Sequence, residues 1–218
     1  MGEKAYVVTF RDFDPFFVID LKNKTAPKVL GELKIPGYSD YLHPYDENHI
    51  IGFGKDTVVV NGTAYYLGMK IAMFDVTDVN NLKEMFVEKI GDRGTESELL
   101  YNHKALLFNK EKDLLAFPVQ VYKVKGDLYS EYGYPNYGEL AFNGAYVYDI
   151  SLESGFVKKG EITHSDSQQD PYGYNHYNSA IQRMLNIGDQ LFAVSNHKVT
   201  SHSLSSVSPI GSLSVSDK

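Results

Sequence analysis

Gly144-Ala-Tyr-Val-Tyr-Asp149-Ile-Ser-Leu-Glu-Ser-Gly-Phe156-Val-Lys-Lys-Gly-Glu-Ile162 reads as strand, turn, strand. An apolar run closes on Asp149, a polar reversal follows, and a second extended run begins near Phe156. The unit recurs. Phe17-Val-Ile-Asp20-Leu21 leads to Val29-Leu-Gly-Glu-Leu33, and Ala72-Met-Phe-Asp75-Val76 leads to Met85-Phe-Val-Glu-Lys89. Ser201-His-Ser203-Leu204 leads to Ile210-Gly-Ser-Leu213. The acidic marker steps by 55 residues from Asp20 to Asp75 and by 74 to Asp149; Ser203 stands 54 further on.

Working outward, each unit is preceded by a hairpin. Tyr41-Leu-His43 returns as His49 to Phe53 across Pro44 to Asn48, and His103 to Phe108 returns as Leu114 to Val119 across Asn109 to Asp113. Ile181 to Leu185 returns as Gln190 to Val194 across Asn186 to Asp189. A first strand is expected over Ala5 to Phe10. No segment holds a helical period over three turns. The chain is therefore all-β, and repeats of short strands at this spacing are those of β-propeller blades. With strands lettered a to d, the order is b-c-d followed by three runs of a-b-c-d. The blades expected are 5–35 (incomplete), 38–90, 101–163 and 179–215 of one domain spanning 1–218. A missing innermost strand leaves backbone donors to be satisfied, so upstream blades of a longer chain, or a homodimer of this one, are the expected partners.

Composition narrows the function classes. The 218 residues are 43% hydrophobic and 22% charged, the values of a globular chain. Seventeen Tyr and twelve Phe suit half-buried strands. A net charge of −7 without a basic cluster argues against nucleic acid as a partner. No apolar run is long enough to span a membrane. Cys is absent, which removes disulfides, thiolate metal sites and cysteine nucleophiles. Met1-Gly-Glu-Lys4 enters the first expected strand without a signal peptide, so either a cytoplasmic protein or a chain whose upstream segment has been removed is expected.

The stretch from Val8-Thr-Phe-Arg11 through Asp14-Pro15, Val18-Ile-Asp20-Leu and Pro27-Lys-Val-Leu-Gly-Glu-Leu-Lys-Ile-Pro-Gly37 to Tyr41-Leu-His-Pro44 resembles a known family. So do Asn102-His-Lys-Ala105, Gly160-Glu-Ile-Thr-His164 and Asn186-Ile-Gly-Asp189. It is the secreted β-propeller domain of archaeal and bacterial surface proteins, distantly WD40-like. The resemblance implies a longer parent chain, an extracellular or cell-envelope location and no assigned activity. It supplies no catalytic residues.

Loop length points to a binding face. The a–b and c–d turns are short. The b–c and d–a connections, expected over 55–69, 91–102, 122–143 and 165–179, are long, and long ordered loops on a scaffold carry function. Two of them are Tyr-rich. Tyr129, Tyr132, Tyr134 and Tyr137 in one, with Tyr172, Tyr174, His176 and Tyr177 in the other, are the candidate binding residues, because Tyr combines contact area with a polar tip. The competing reading has these rings packing their own loops onto the blades. His43, His103, His164 and His176 lack the spacing of a metal site. Asp12, Asp14, Asp166 and Asp170 offer oxygens to calcium without forming an Asp-x-Asp-x-Asp-Gly loop, so no cofactor is expected. Asp20, Asp75 and Asp149 read as turn caps. No Gly-x-Ser-x-Gly, His-Glu-x-x-His or phosphate loop occurs. The expected function is a noncatalytic recognition or scaffold module of a secreted or cell-surface protein, binding protein or glycan through its long-loop face. The alternative is a propeller hydrolase or lyase with a carboxylate and His site at the central channel.

Overall fold

The computed structural model describes residues 2–9, 15–34, 37–165 and 179–215. They form four successive antiparallel meanders. The first is β1 (Lys4–Val8), β2 (Pro15–Asp20) and β3 (Lys28–Lys34), and the second is β4 (Tyr38–Pro44), β5 (His49–Val60), β6 (Thr63–Asp75) and β7 (Lys83–Ile90). The third is β8 (Leu107–Asn109), β9 (Leu114–Lys123), β10 (Glu139–Ser151) and β11 (Gly155–Ile162), and the fourth is β12 (Arg183–Ile187), β13 (Gln190–Val194), β14 (Lys198–Ser203) and β15 (Pro209–Ser214). Within each sheet the strands pair in chain order.

The repeat is stamped into the register. In every sheet the last pairing shifts at one place, between Val18 and Ile19, Met73 and Phe74, Val147 and Tyr148, and Ser201 and His202. Each bulge lies one residue before Asp20, Asp75, Asp149 or Ser203. A bulge adds twist and re-aims the following side chain. It thereby frees the marker residue for the turn: Asp20 accepts from the Lys22 amide and Asp75 from the Thr77 amide, each at 2.9 Å. Thr77 hydrogen bonds hold the Asp75 carboxyl below its usual range. Asp149 departs from the expected cap and pairs with Lys159 Nζ at 2.9 Å. Ser203 meets Ser205 through its hydroxyl at 3.0 Å.

The chain divides into two compact units, Met1–Thr95 with Lys123–Glu139, and Glu96–Tyr122 with Leu140–Lys218. The first holds the first two sheets around a core of Phe16, Val18, Ile50, Ala72, Phe74 and Val76. The second holds a core of Leu114, Ala116, Ala145, Val147, Met184 and Leu191. Burial of such side chains at roughly 1.5–3 kcal/mol each is what drives the sheets together.

Two local expectations are corrected. The long loop expected over 55–69 is mostly strand: β5 and β6 run on into a ladder closed by Asn61-Gly62, with φ of 52° and 78°. Positive φ at both central residues is a type I′ turn, which Asn-Gly favours. The strand expected over His103 to Phe108 begins as a single 3-10 turn over His103–Ala105, and only Leu107–Asn109 pairs. The Asn102 side chain accepts from the Lys104 amide and holds that turn in place of a strand.

Candidate functional site

In the first unit, the strands place three connections at one end of the second sheet. The β5–β6 hairpin carries Tyr65 opposite Val58. Beyond β7 the chain turns through Gly91-Asp92-Arg93-Gly94, with the flanking glycines at φ of 66° and 108°. The glycines let the backbone reverse tightly and leave Arg93 projecting between them. Its guanidinium donates to the Pro135 carbonyl at 2.8 Å and to the Tyr137 hydroxyl at 3.1 Å. It lies 4.0 Å over the Tyr137 ring and 5.4 Å from that of Tyr65. Tyr134 meets Tyr65 edge-on at 5.6 Å. Arg93 thus joins the hairpin to the Tyr-rich loop by cation–π attraction and charge-assisted hydrogen bonds.

That loop is ordered by its own backbone. Ser130 N donates to Tyr134 O and Gly133 N to Ser130 O, both at 2.8 Å, while Asn136 N donates to Leu128 O at 2.9 Å. Val124 N donates to Asp92 Oδ2 at 2.9 Å, and Gly138 N to Arg93 O at 2.8 Å. With its backbone so occupied, the loop does not need its tyrosines as a core. Tyr132 is 81% exposed and Tyr137 70%; Tyr129 and Tyr134 are half-exposed. Beneath the loop lies a cavity of about 220 Å³, with Asp56 and Lys89, paired at 2.7 Å, in its wall.

Four of the eight candidate residues therefore share one loop. Tyr172, Tyr174, His176 and Tyr177 lie outside the described residues, as do Asp12, Asp14, Asp166 and Asp170. Sequence reasoning missed Arg93 and Tyr65. Their signals were present: an Arg set between glycines just past a strand, and an Asn-Gly turn inside a β-branched and aromatic run.

The second unit holds a buried polar chain. His164 Nδ1 and Ser195 Oγ lie 2.8 Å apart, as do His164 Nε2 and Thr200 Oγ1, and Thr200 Oγ1 and His202 Nε2. His202 Nδ1 lies 3.2 Å from the Val207 carbonyl. All four side chains are buried. A carbonyl only accepts, so His202 Nδ1 carries a proton. With both rings neutral, His202 donates to Val207, Thr200 to His202 and His164 to Thr200, and the single Ser195 hydroxyl proton lies between His164 Nδ1 at 2.8 Å and the Lys198 carbonyl at 3.2 Å. Burial, with Lys198, His197 and His202 nearby, lowers the His164 pKa to about 4. Ser195 is too enclosed to meet a substrate, so the arrangement is structural despite its Ser–His pair.

The same unit has a cleft of about 470 Å³ whose walls include Glu96, Glu98, Tyr101 and Arg183. Glu96 accepts from the Tyr101 hydroxyl at 3.1 Å, and Glu98 from the Asn102 amide at 2.9 Å. His43, in the first unit, bonds Tyr41 at 2.9 Å. Among the described residues no three His, Asp or Glu side chains converge as metal ligands, and no helix is long and apolar enough to cross a membrane.

A family model described as the beta propeller domain matches residues 1–207. An uncharacterized protein of Methanocaldococcus jannaschii is 39% identical over 191 residues, which are 80% of this chain and 28% of that one. Another, of Archaeoglobus fulgidus, is 39% identical over 117 residues, 54% of this chain and 17% of that one. The chain thus spans under a third of the length of these relatives. Among solved structures, a mutant of the Synechocystis apocarotenoid oxygenase covers 97% of this chain and 46% of its own, at 8% identity and a TM-score of 0.42. That likeness is too low to carry any property across.

Proposed function

The chain belongs to the beta propeller domain family, as an all-β partial propeller of about four blades, and from that premise we propose that it is a noncatalytic recognition module of a secreted or cell-surface protein. It engages a protein or glycan chain with the loop end of its first unit. The observation that carries this reading is a pinned loop with free rings. Backbone bonds and the contact of Arg93 with Tyr137 hold the Lys123–Glu139 segment, while the Tyr132 ring and the outer side of Tyr137 meet solvent. Rigid, exposed aromatics lose little entropy on contact and supply most of the energy of a small interface.

The other partners are further blades of a longer protein. The first sheet turns Phe16 and Val18 inward and leaves Phe17, Ile19 and Val7 on its other face. The fourth sheet leaves Leu185, Ile187 and Leu213 on the face away from its core. Apolar sheet faces of this kind are interfaces, and the archaeal relatives, of which this chain spans under a third, are long enough to hold further blades.

Screening the chain against glycan, cell-wall and surface-protein arrays tests the recognition reading. A ligand lost on substitution of Tyr132 by Ala, at unchanged melting temperature, supports it. A ligand indifferent to Tyr132 overturns it.

A further inference from the structure

We propose that the cavity beneath the Lys123–Glu139 loop is a subsite for one neutral pyranose residue of a glycan. This rests on the recognition reading and commits it to a carbohydrate. The volume, about 220 Å³, falls below that of pockets for drug-sized molecules and suits one ring. Leu67, Leu128, Tyr129 and Pro135 give it an apolar side, the kind of surface that covers the C–H face of a sugar.

Its polar groups are acceptors and donors together. Asp92 has one carboxylate oxygen on the Val124 amide and no further partner for the other among the described residues. Asn136 uses its amide nitrogen on Asp127 O at 3.0 Å, and its amide oxygen is unengaged among the described residues. Arg93 spends two of its five N–H groups on Pro135 and Tyr137. A sugar hydroxyl donates and accepts at once, and this combination answers both demands.

Charge separates a neutral sugar from an acidic one. Asp56 is balanced by Lys89, and Asp92 stands beside Arg93, so the four charges cancel. A uronate would bring a further, uncompensated charge into a partly desolvated site whose own charges already balance, at an energetic cost. The site is also preformed, because the loop is held whether or not a ligand is present, by the Val124 amide on the Asp92 carboxylate and by the Gly138 and Asn136 amides on backbone carbonyls.

The test is saturation-transfer NMR on the 218-residue chain with methyl glycosides of neutral hexoses, one methyl uronate, and short peptides. At least one neutral glycoside is expected to bind, competing with any glycan found on the array. Asp92→Asn should weaken it about tenfold, the loss of one charged hydrogen bond. Leu128→Trp, which fills the cavity from an exposed position, should abolish it; this variant keeps the test decisive if Asp92→Asn unfolds. Binding of the uronate or a peptide alone, or neutral binding indifferent to both variants, overturns the subsite. An array ligand that depends on Tyr132, with no glycoside binding, overturns the subsite and leaves the recognition reading standing. No ligand on any array removes both.

Discussion

Val207 adopts left-handed backbone, φ 57°, and its side chain lies against Gly160 so closely that a Cβ there would sit 2.9 Å from Val207 Cβ. The contact has a counterpart in the first unit, where a Cβ on Gly31 would lie 1.9 Å from the Val79 carbonyl oxygen. In each unit a glycine in the last strand of one sheet receives the turn between the last two strands of the next. A β-branched residue in this backbone region is strained by about 1–3 kcal/mol, so the packing around Val207 holds it there.

Gly160→Ala should therefore destabilise the protein by about 1–3 kcal/mol through overpacking. Combining it with Val207→Ala should recover part of that loss, since the branched side chain is what the new methyl meets. Gly31→Ala, which meets backbone, should cost more and gain nothing from Val79→Ala. Urea unfolding of the four single variants and the two double mutants checks this.

The His164 chain makes stability depend on pH. Its folded pKa of about 4 lies below the ordinary 6.5, so the folded state favours the neutral ring. As pH falls below about 6.5 the unfolded chain takes up a proton that the folded one refuses. Stability should fall by up to about 1.4 kcal/mol per pH unit until about pH 4, where the folded ring also titrates and the loss levels off. Denaturation between pH 7.5 and 4 measures the slope. His164→Leu should remove His164's share of it, at a constant cost from the stranded Ser195 and Thr200 hydroxyls.

Arg93 and Tyr132 should separate structure from recognition. Arg93→Ala breaks the link between the hairpin and the loop, and hydrogen exchange should rise across 124–138 with a stability loss of about 1–3 kcal/mol. Tyr132→Ala, at an exposed ring, should change stability by less than about 0.5 kcal/mol. Equal exchange in both variants would show that Arg93 does not hold the loop.

The uncovered sheet faces should associate. Light scattering of the isolated chain is expected to show a concentration-dependent dimer, and Ile187→Lys with Leu213→Lys should shift it towards monomer. A monomer at all concentrations would show that these faces need no cover.

What the sequence determined by itself was the meander and its period. The runs ending at Asp20, Asp75 and Asp149, and the turns after them, depend on residues a few positions apart, and an antiparallel hairpin satisfies its hydrogen bonds within that distance. The family was also legible, in the stretch from Val8 to Pro44. The bulge before each marker left no composition of its own to read. The site was legible only as a Tyr-rich loop. Whether those rings pack or face solvent turned on Arg93, which meets Tyr137 from 44 positions away and has no local pattern to announce it. His202 sits where the other sheets place Ile19, Phe74 and Tyr148, and only its neighbours Thr200 and Val207 make a buried imidazole tenable. Strand pairing is decided by local pattern and turn chemistry. Loop conformation and buried polar pairing are decided by which distant groups the finished sheets bring within hydrogen-bond reach.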